Sequence, residues 1–148
     1  MKRFMLLLLL LSGVVLLAAC GGDSEPTAVP MAEFELLATD SAFDQDRLEV
    51  MVGQPVKITL QNDGALEHDF SIMKIPHSGE VHAEEMQEEM DHDMSGMAEE
   101  PEVHVASPPE GSFSVEFTPS QAGEYEYFCT VSGHKEAGMA GILMVKNS

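Results

Sequence analysis

The sequence predicts an all-β fold, specifically a Greek-key β-sandwich, and three observations carry that reading. Short runs alternate with a two-residue period between turn residues, no long helix separates them, and about 90 residues remain for the sandwich once a tether and an insertion are set aside. Glu33 to Ala38 and Arg47 to Val52 are the first two runs. Val56 to Gln61 is the cleanest, with Val56, Ile58 and Leu60 on one face and Lys57, Thr59 and Gln61 on the other, and it stops at Asn62-Asp63-Gly64, a strong turn signal. Its apolar face is expected in the core. Leu66 to Ile75 follows, then Ser112 to Phe117 with Phe113, Val115 and Phe117 alternating, then Glu124 to Cys129, and last Gly141 to Lys146.

Composition excludes several function classes. With 26 acidic against 7 basic residues, the formal charge of −19 opposes the phosphate backbone, so nucleic acid is not an expected partner. Absence of tryptophan, with aromatics at 6%, disfavours stacking surfaces for bases or sugars. At 148 residues there is room for one ordinary domain, and two cysteines cannot staple a disulfide-rich scaffold.

The N-terminus reads as an address. Lys2 and Arg3 precede an apolar run from Phe4 to Leu17, and small residues stand just before Cys20, the order of a cleaved export signal over residues 1–19. The apolar run is short for a permanent span, which needs about 20 residues. Leu17-Ala18-Ala19-Cys20 resembles a bacterial lipoprotein lipobox, which implies lipidation of Cys20 and an extracytoplasmic protein anchored to a bacterial cell membrane. Without cleavage, the same segment would still tether the domain outside the cytoplasm. Residues 20–30 are rich in Gly, Pro and small polar residues and read as a flexible tether, leaving 31–148 as the domain.

The chemistry lies near the C-terminus. After Glu124-Tyr125-Glu126-Tyr127-Phe128 come Cys129, four residues, His134, four residues and Met139, placing a thiol, an imidazole and a thioether on one strand-to-strand loop. If Cys20 is lipidated, Cys129 has no disulfide partner in an oxidising compartment, and metal ligation would explain its survival. A trigonal His2Cys copper site with a weak axial Met needs one more histidine. His68, in Leu66-Glu67-His68-Asp69-Phe70, is the histidine set early in the domain among core-like residues. Four protein ligands and no open position suit electron transfer rather than substrate binding. A dinuclear copper centre would need a second cysteine on this loop, and Ser132 and Gly133 supply none.

GEYEYFCTVSGHKEAGMAGILMV, residues 123–145, resembles the C-terminal signature of cupredoxins, the type-1 blue copper proteins. Its two four-residue gaps are most similar to the rusticyanin pattern, the plastocyanin and azurin patterns each having one shorter gap. The resemblance covers about Met31 to Lys146 apart from the insertion. It implies one type-1 copper near one end of a Greek-key sandwich, held by His68, Cys129, His134 and Met139. It also implies a hydrogen bond between Asp69 and Thr130 fastening the two ligand loops, and an exit for electrons at the edge of His134, near Ala137, Met139 and Ala140. Gly133, Gly138 and Gly141 are expected to allow the tight backbone path. The acidic surface suits a basic redox partner, such as a c-type cytochrome or a membrane oxidoreductase.

The insertion, about 76–102, is of different character. Between Glu80 and Glu102 stand ten acidic residues, four methionines, two histidines and no Lys or Arg. His82, Met86, Met90, Met94 and Met97 would align on a helix capped by Ser78 and ended by Gly96. Like-charge pairs Glu84–Glu88 and Glu85–Glu89 weaken that helix, so a disordered loop and a methionine stripe packed on the sandwich stay open beside auxiliary copper capture by the thioethers, His82 and His92. His77 and His104 read as surface residues. The favoured function is a membrane-tethered, non-enzymatic carrier of single electrons by Cu(II)/Cu(I) cycling. A copper-binding or delivery protein working through the insertion is the alternative.

Overall fold

The computed structural model describes residues 29–84 and 99–147. Cys20, Met86, Met90, His92, Met94 and Met97 lie outside the described residues. Two five-stranded sheets face each other. In the first the order is β2 (Ala42–Phe43), β1 (Ala32–Thr39), β4 (Val56–Asn62), β8 (Ser112–Phe117) and β6 (His82–Ala83). In the second it is β3 (Arg47–Met51), β10 (Ala140–Lys146), β9 (Gly123–Phe128), β5 (His68–Ile72) and β7 (Val103–Ser107). One helical turn, α1 (His134–Ala137), joins β9 to β10.

The alternation read from the sequence sets which residues meet between the sheets. Val56, Ile58 and Leu60 are fully buried while Lys57, Thr59 and Gln61 stay half-buried, as a strand central to a one-sided sheet requires. Leu36 and Ala38 from β1, Val115 and Phe117 from β8, Leu48 and Val50 from β3, and Leu143 and Val145 from β10 complete that core. Tyr127 stacks on Phe70 with ring centroids 5.1 Å apart, and its hydroxyl donates to the Gln45 carbonyl at 2.7 Å. Gly141, opposite Tyr127 in the β9–β10 ladder, is needed for space: a Cβ there would fall 2.3 Å from the Tyr127 ring.

Where structure and sequence reading differ, edges explain the difference. The fourth run is shorter than read, because Leu66 and Glu67 belong to a loop and the strand ends at Ile72. Val103–Ser107, beyond the expected insertion and not read as a strand, pairs with β5 and closes the edge of the second sheet. The insertion also begins later than about 76. His77 bridges Pro119, the Ser78 amide donates to the Thr118 carbonyl at 2.9 Å, and His82–Ala83 pairs with Glu116 and Val115. Ser78 therefore caps no helix and His82 stands on an edge strand. The exposed backbone of β8 offers these residues an inter-strand ladder, whereas a helix here would carry repelling carboxylates. Glu84 and Glu102 pin the flanks: the Glu84 carboxylate accepts the Ser114 amide at 2.9 Å and the Glu102 carboxylate the Ile75 amide at 2.7 Å.

Gly141→Ala tests the packing. Adding one methyl against Tyr127 is expected to destabilise the domain by roughly 1–3 kcal/mol although alanine restricts the unfolded chain more than glycine. Urea unfolding of the wild type and variant measures this, and an unchanged midpoint would contradict it.

Candidate metal centre

One end of the second sheet brings the predicted donors together. Cys129 follows the last residue of β9 and Met139 precedes β10, so the ladder that pairs Phe128 with Ala140 sets the two side by side. The Cys129 amide donates to the Met139 carbonyl at 3.1 Å, and the Met139 amide to the His134 carbonyl at 3.0 Å. Within the loop, Gly133 and Gly138 have φ of 85° and 107° and bracket α1, conformations that cost a residue with a side chain about 1–2 kcal/mol. This tight path returns His134 over Cys129.

His68 arrives from β5. Cys129 Sγ lies 3.8 Å from His68 Nδ1 and 3.5 Å from His134 Nδ1, and the three donor atoms fall within 4.8 Å of one another. Bonds of about 2.3 Å to thiolate and 2.0 Å to imidazole at trigonal angles give a sulfur–nitrogen edge of about 3.7 Å, which these separations bracket. His68, Cys129 and Met139 are fully buried and His134 is half-buried. Burial, with the neighbouring His134 adding, holds the His68 imidazole below its ordinary value and therefore neutral, the form a metal takes. The Cys129 thiol is pushed up to about 12 by burial and by the Asp69 carboxylate. Without metal it is a thiol, so ligation must expel its proton.

The surroundings are built as firmly as the donors. Asp69 is fully buried, and its carboxylate accepts the Thr130 amide at 2.6 Å, the Thr130 hydroxyl at 2.8 Å and the Ser71 hydroxyl at 2.7 Å. Burial alone would raise its pKa, but bonds from His104, Cys129, Ser71 and Thr130 outweigh burial and hold it well below the carboxylate range. His104, read as a surface histidine, instead faces this carboxylate with Nε2 3.4 Å from Oδ2. The signal was its place in Val103-His104-Val105, an alternating apolar pair. Asn62, read only as a turn residue, is fully buried: its side-chain amide donates to the carbonyls of Leu66 and Ser107, both at 2.8 Å, and its Oδ1 accepts the Gly64 amide at 2.9 Å. It fixes the loop that leads into His68.

At the surface, Ala137 is exposed and Ala140 half-buried beside His134, while Met139 is fully buried and adds nothing to an outer patch. Exposed Leu66 stands in the loop before His68. His82 lies on β6, paired with Glu116 rather than with these donors. Among the described residues, the cluster of His68, Cys129 and His134 is the one group of potential histidine, cysteine or carboxylate ligands close enough to hold an ion.

A two-sheet sandwich that gathers a thiol and two imidazoles at one end, with a buried methionine bonded through its backbone to both residues of the C-terminal loop, defines a cupredoxin with one type-1 copper site. The sequence pattern of copper-binding proteins of the plastocyanin/azurin family matches residues 32–146, and the chain belongs to that family. The copper-resistant cuproprotein CopI of Rubrivivax gelatinosus is 34% identical over 106 residues, 70% of this chain and 59% of that protein, so the chain spans less than two thirds of that relative. Auracyanin-A of Chloroflexus aurantiacus is 30% identical over an alignment of 169 positions covering 97% of this chain and 96% of that one. Among solved structures, reduced auracyanin from Roseiflexus castenholzii superposes with a TM-score of 0.58 at 22% identity, over 79% of this chain and 96% of that one.

Two outcomes are expected here. Asp69→Ala removes the acceptor shared by the Thr130 amide and hydroxyl, the Ser71 hydroxyl, His104 and Cys129, and should destabilise the metal-free domain by roughly 3 kcal/mol or more, read by chemical denaturation. Because the bound form needs a thiolate and the free form is a thiol, Cu(II) affinity should rise with pH, by up to about tenfold per unit through the neutral range; chelator competition at two pH values would refute this by showing a flat or falling affinity.

Proposed function

We propose that this chain is an extracytoplasmic carrier of single electrons, tethered to a bacterial membrane through Cys20, with copper held by His68, Cys129, His134 and Met139. The observation that carries the reading is the preformed cluster of Sγ and two Nδ1 atoms within 4.8 Å in a buried pocket. Bound there, copper would supply a one-electron Cu(II)/Cu(I) couple, with thiolate stabilising both states and a weak thioether favouring the reduced one. The chain's part is to hold the donors fixed and to exclude water. Four protein donors leave no position for a substrate, which supports a carrier rather than an enzyme. Auracyanin-A, an established relative by sequence, fits this reading.

The surface supports a basic partner. Each basic side chain of the described residues is matched to a carboxylate: Arg47 and Lys146 to Glu49, Lys57 to Glu116, Lys74 to Glu99 and Lys135 to Glu126. The remaining carboxylates leave a strongly negative exterior that would steer a cationic redox protein, such as a c-type cytochrome, at a rate that falls with added salt.

A second reading is favoured by the two CopI relatives, the Pseudomonas aeruginosa protein being 27% identical over 84% of this chain. Both are named copper-resistant cuproproteins, and the stretch between Glu84 and Glu99 is rich in methionine. In that case copper handling is the work and the acidic segment the working part.

The test is Cu(II) titration of the full chain, of Cys129→Ser and of a variant with residues 85–98 replaced by a short glycine-serine linker. The carrier reading expects intense thiolate-to-copper absorption with narrow EPR hyperfine splitting, lost in Cys129→Ser and kept in the linker variant. An ordinary type-2 signal that survives Cys129→Ser and vanishes with 85–98 would overturn it in favour of copper handling.

A further inference from the structure

His68 has a second ring nitrogen, and the structure treats it unusually. With Nδ1 turned toward Cys129, Nε2 points away from the donors, is fully buried and has no hydrogen-bond partner among the described residues. A histidine that ligates through one nitrogen carries its proton on the other, and that N–H ordinarily has an acceptor which fixes the ring and raises its basicity. Here the charged group facing it is Asp40, in the turn between β1 and β2, with Oδ1 4.0 Å from Nε2.

Two further observations show that this approach is built. The same Oδ1 accepts the Ala65 amide at 2.6 Å, which ties the turn to the loop preceding His68. Between the two side chains lies Gly64, where a Cβ would fall 2.7 Å from Asp40 Oδ1 and 2.7 Å from His68 Nε2. Gly64 is not among the residues of positive φ, so backbone conformation does not demand glycine here. Clearance does. Any side chain would wedge the carboxylate from the ring.

We propose that Asp40 is a positioning and tuning residue for the copper ligand His68: its carboxylate, held by Ala65 across Gly64, is the charge partner of the outward ring nitrogen and favours the oxidised metal. The proposal rests on the copper reading above. A negative charge on the far side of a ligand ring stabilises Cu(II) more than Cu(I). Outer partners of ligating histidines are worth about 10–100-fold in metal affinity, and the 60% exposure of the Asp40 side chain, which admits screening water and salt, puts this one at the low end.

Asp40→Asn separates charge from architecture, because the amide oxygen still accepts from Ala65. In the copper-loaded full chain it is expected to lower the ratio of Cu(II) to Cu(I) affinity about tenfold, equivalent to a midpoint potential about 59 mV higher for one electron. Asp40→Glu should restore most of the difference. Asp63→Asn, which removes an exposed carboxylate bound to Gln61 on the neighbouring loop, should leave the ratio unchanged. Potentiometric titration and chelator competition give the ratio on folded, copper-loaded protein, so a loss of stability in Asp40→Asn does not obscure it. An unchanged ratio in Asp40→Asn, or equal shifts in Asp40→Asn and Asp63→Asn, in protein whose wild type shows thiolate-to-copper absorption, would overturn the assignment. A wild type without that absorption would overturn the copper reading and this one with it.

Discussion

The structure of the metal end depends on one buried carboxylate. Asp69 sits beside His68 on β5 and reaches across to both the amide and the hydroxyl of Thr130, the residue after Cys129. Two donors 61 positions apart in the chain are thereby locked through a single group. An isolated carboxylate in that environment would cost several kcal/mol. It is tolerated because hydroxyls and an amide converge on it, and because His104 lies over it from β7. The energetic logic is asymmetric: the network adds little beyond an apolar substitute when complete, yet losing one member leaves the rest unsatisfied.

That rigidity has a chemical consequence. Cys129 without metal is a thiol beside a carboxylate and His68 a neutral imidazole, so a single proton, the thiol's, stands where positive charge belongs. The donors lie within reach of one another before any ion arrives, and Cys129 would give up its thiol proton on holding a divalent one. Because backbone bonds from Cys129 to Met139 and from Met139 to His134 fix the loop, the donors would need little rearrangement if a bound copper changed its charge by one. Under the carrier reading, that small rearrangement would favour fast electron exchange and would come from the sandwich rather than from the metal.

Much of this was legible in the sequence for identifiable reasons. The alternation of Val56, Ile58 and Leu60 maps directly onto burial because β4 is central in its sheet, and the Cys129, His134 and Met139 spacing fits a loop whose ends are fixed by a β9–β10 ladder. Edge elements were not legible: β2 and β6 are two residues each, and pairing with a neighbour, not their own pattern, makes them strands. Nor were the partners of Asp69 and His68 all visible. His104 and Asp40 reach them from a distant strand and a distant turn; the Val103-His104-Val105 alternation marks His104 as part of a strand, but nothing along the chain names its partner or that of Asp40. Gly64 shows the same limit, since a glycine kept for clearance looks in sequence like one kept for a turn.

The described residues that flank the N-terminal segment and the insertion join the sandwich away from the donors. β1 enters at Ala32, level with Val56 and Phe117, and ends at Thr39 beside Asp40, so the segment preceding the domain joins it at the end opposite the donors. The acidic insertion returns through Glu102 next to Ile72, while His68 lies at the other end of β5, four residues or about 14 Å away. His82 and Ala83 likewise pair with the half of β8 remote from Ser112, the residue that faces Gln61 near the ligand loop. An anchor at Cys20 would thus attach to the sandwich at the end remote from the donors, and a flexible tether would leave the domain free to turn them toward a partner. Glu84 and Glu102, the described flanks of the insertion, are not among the donors of the cluster, which are His68, Cys129 and His134. The carrier and the copper-handling readings therefore assign the work to different parts of one chain, the donor cluster of the sandwich and the methionine-rich stretch between Glu84 and Glu99, and separate variants distinguish them.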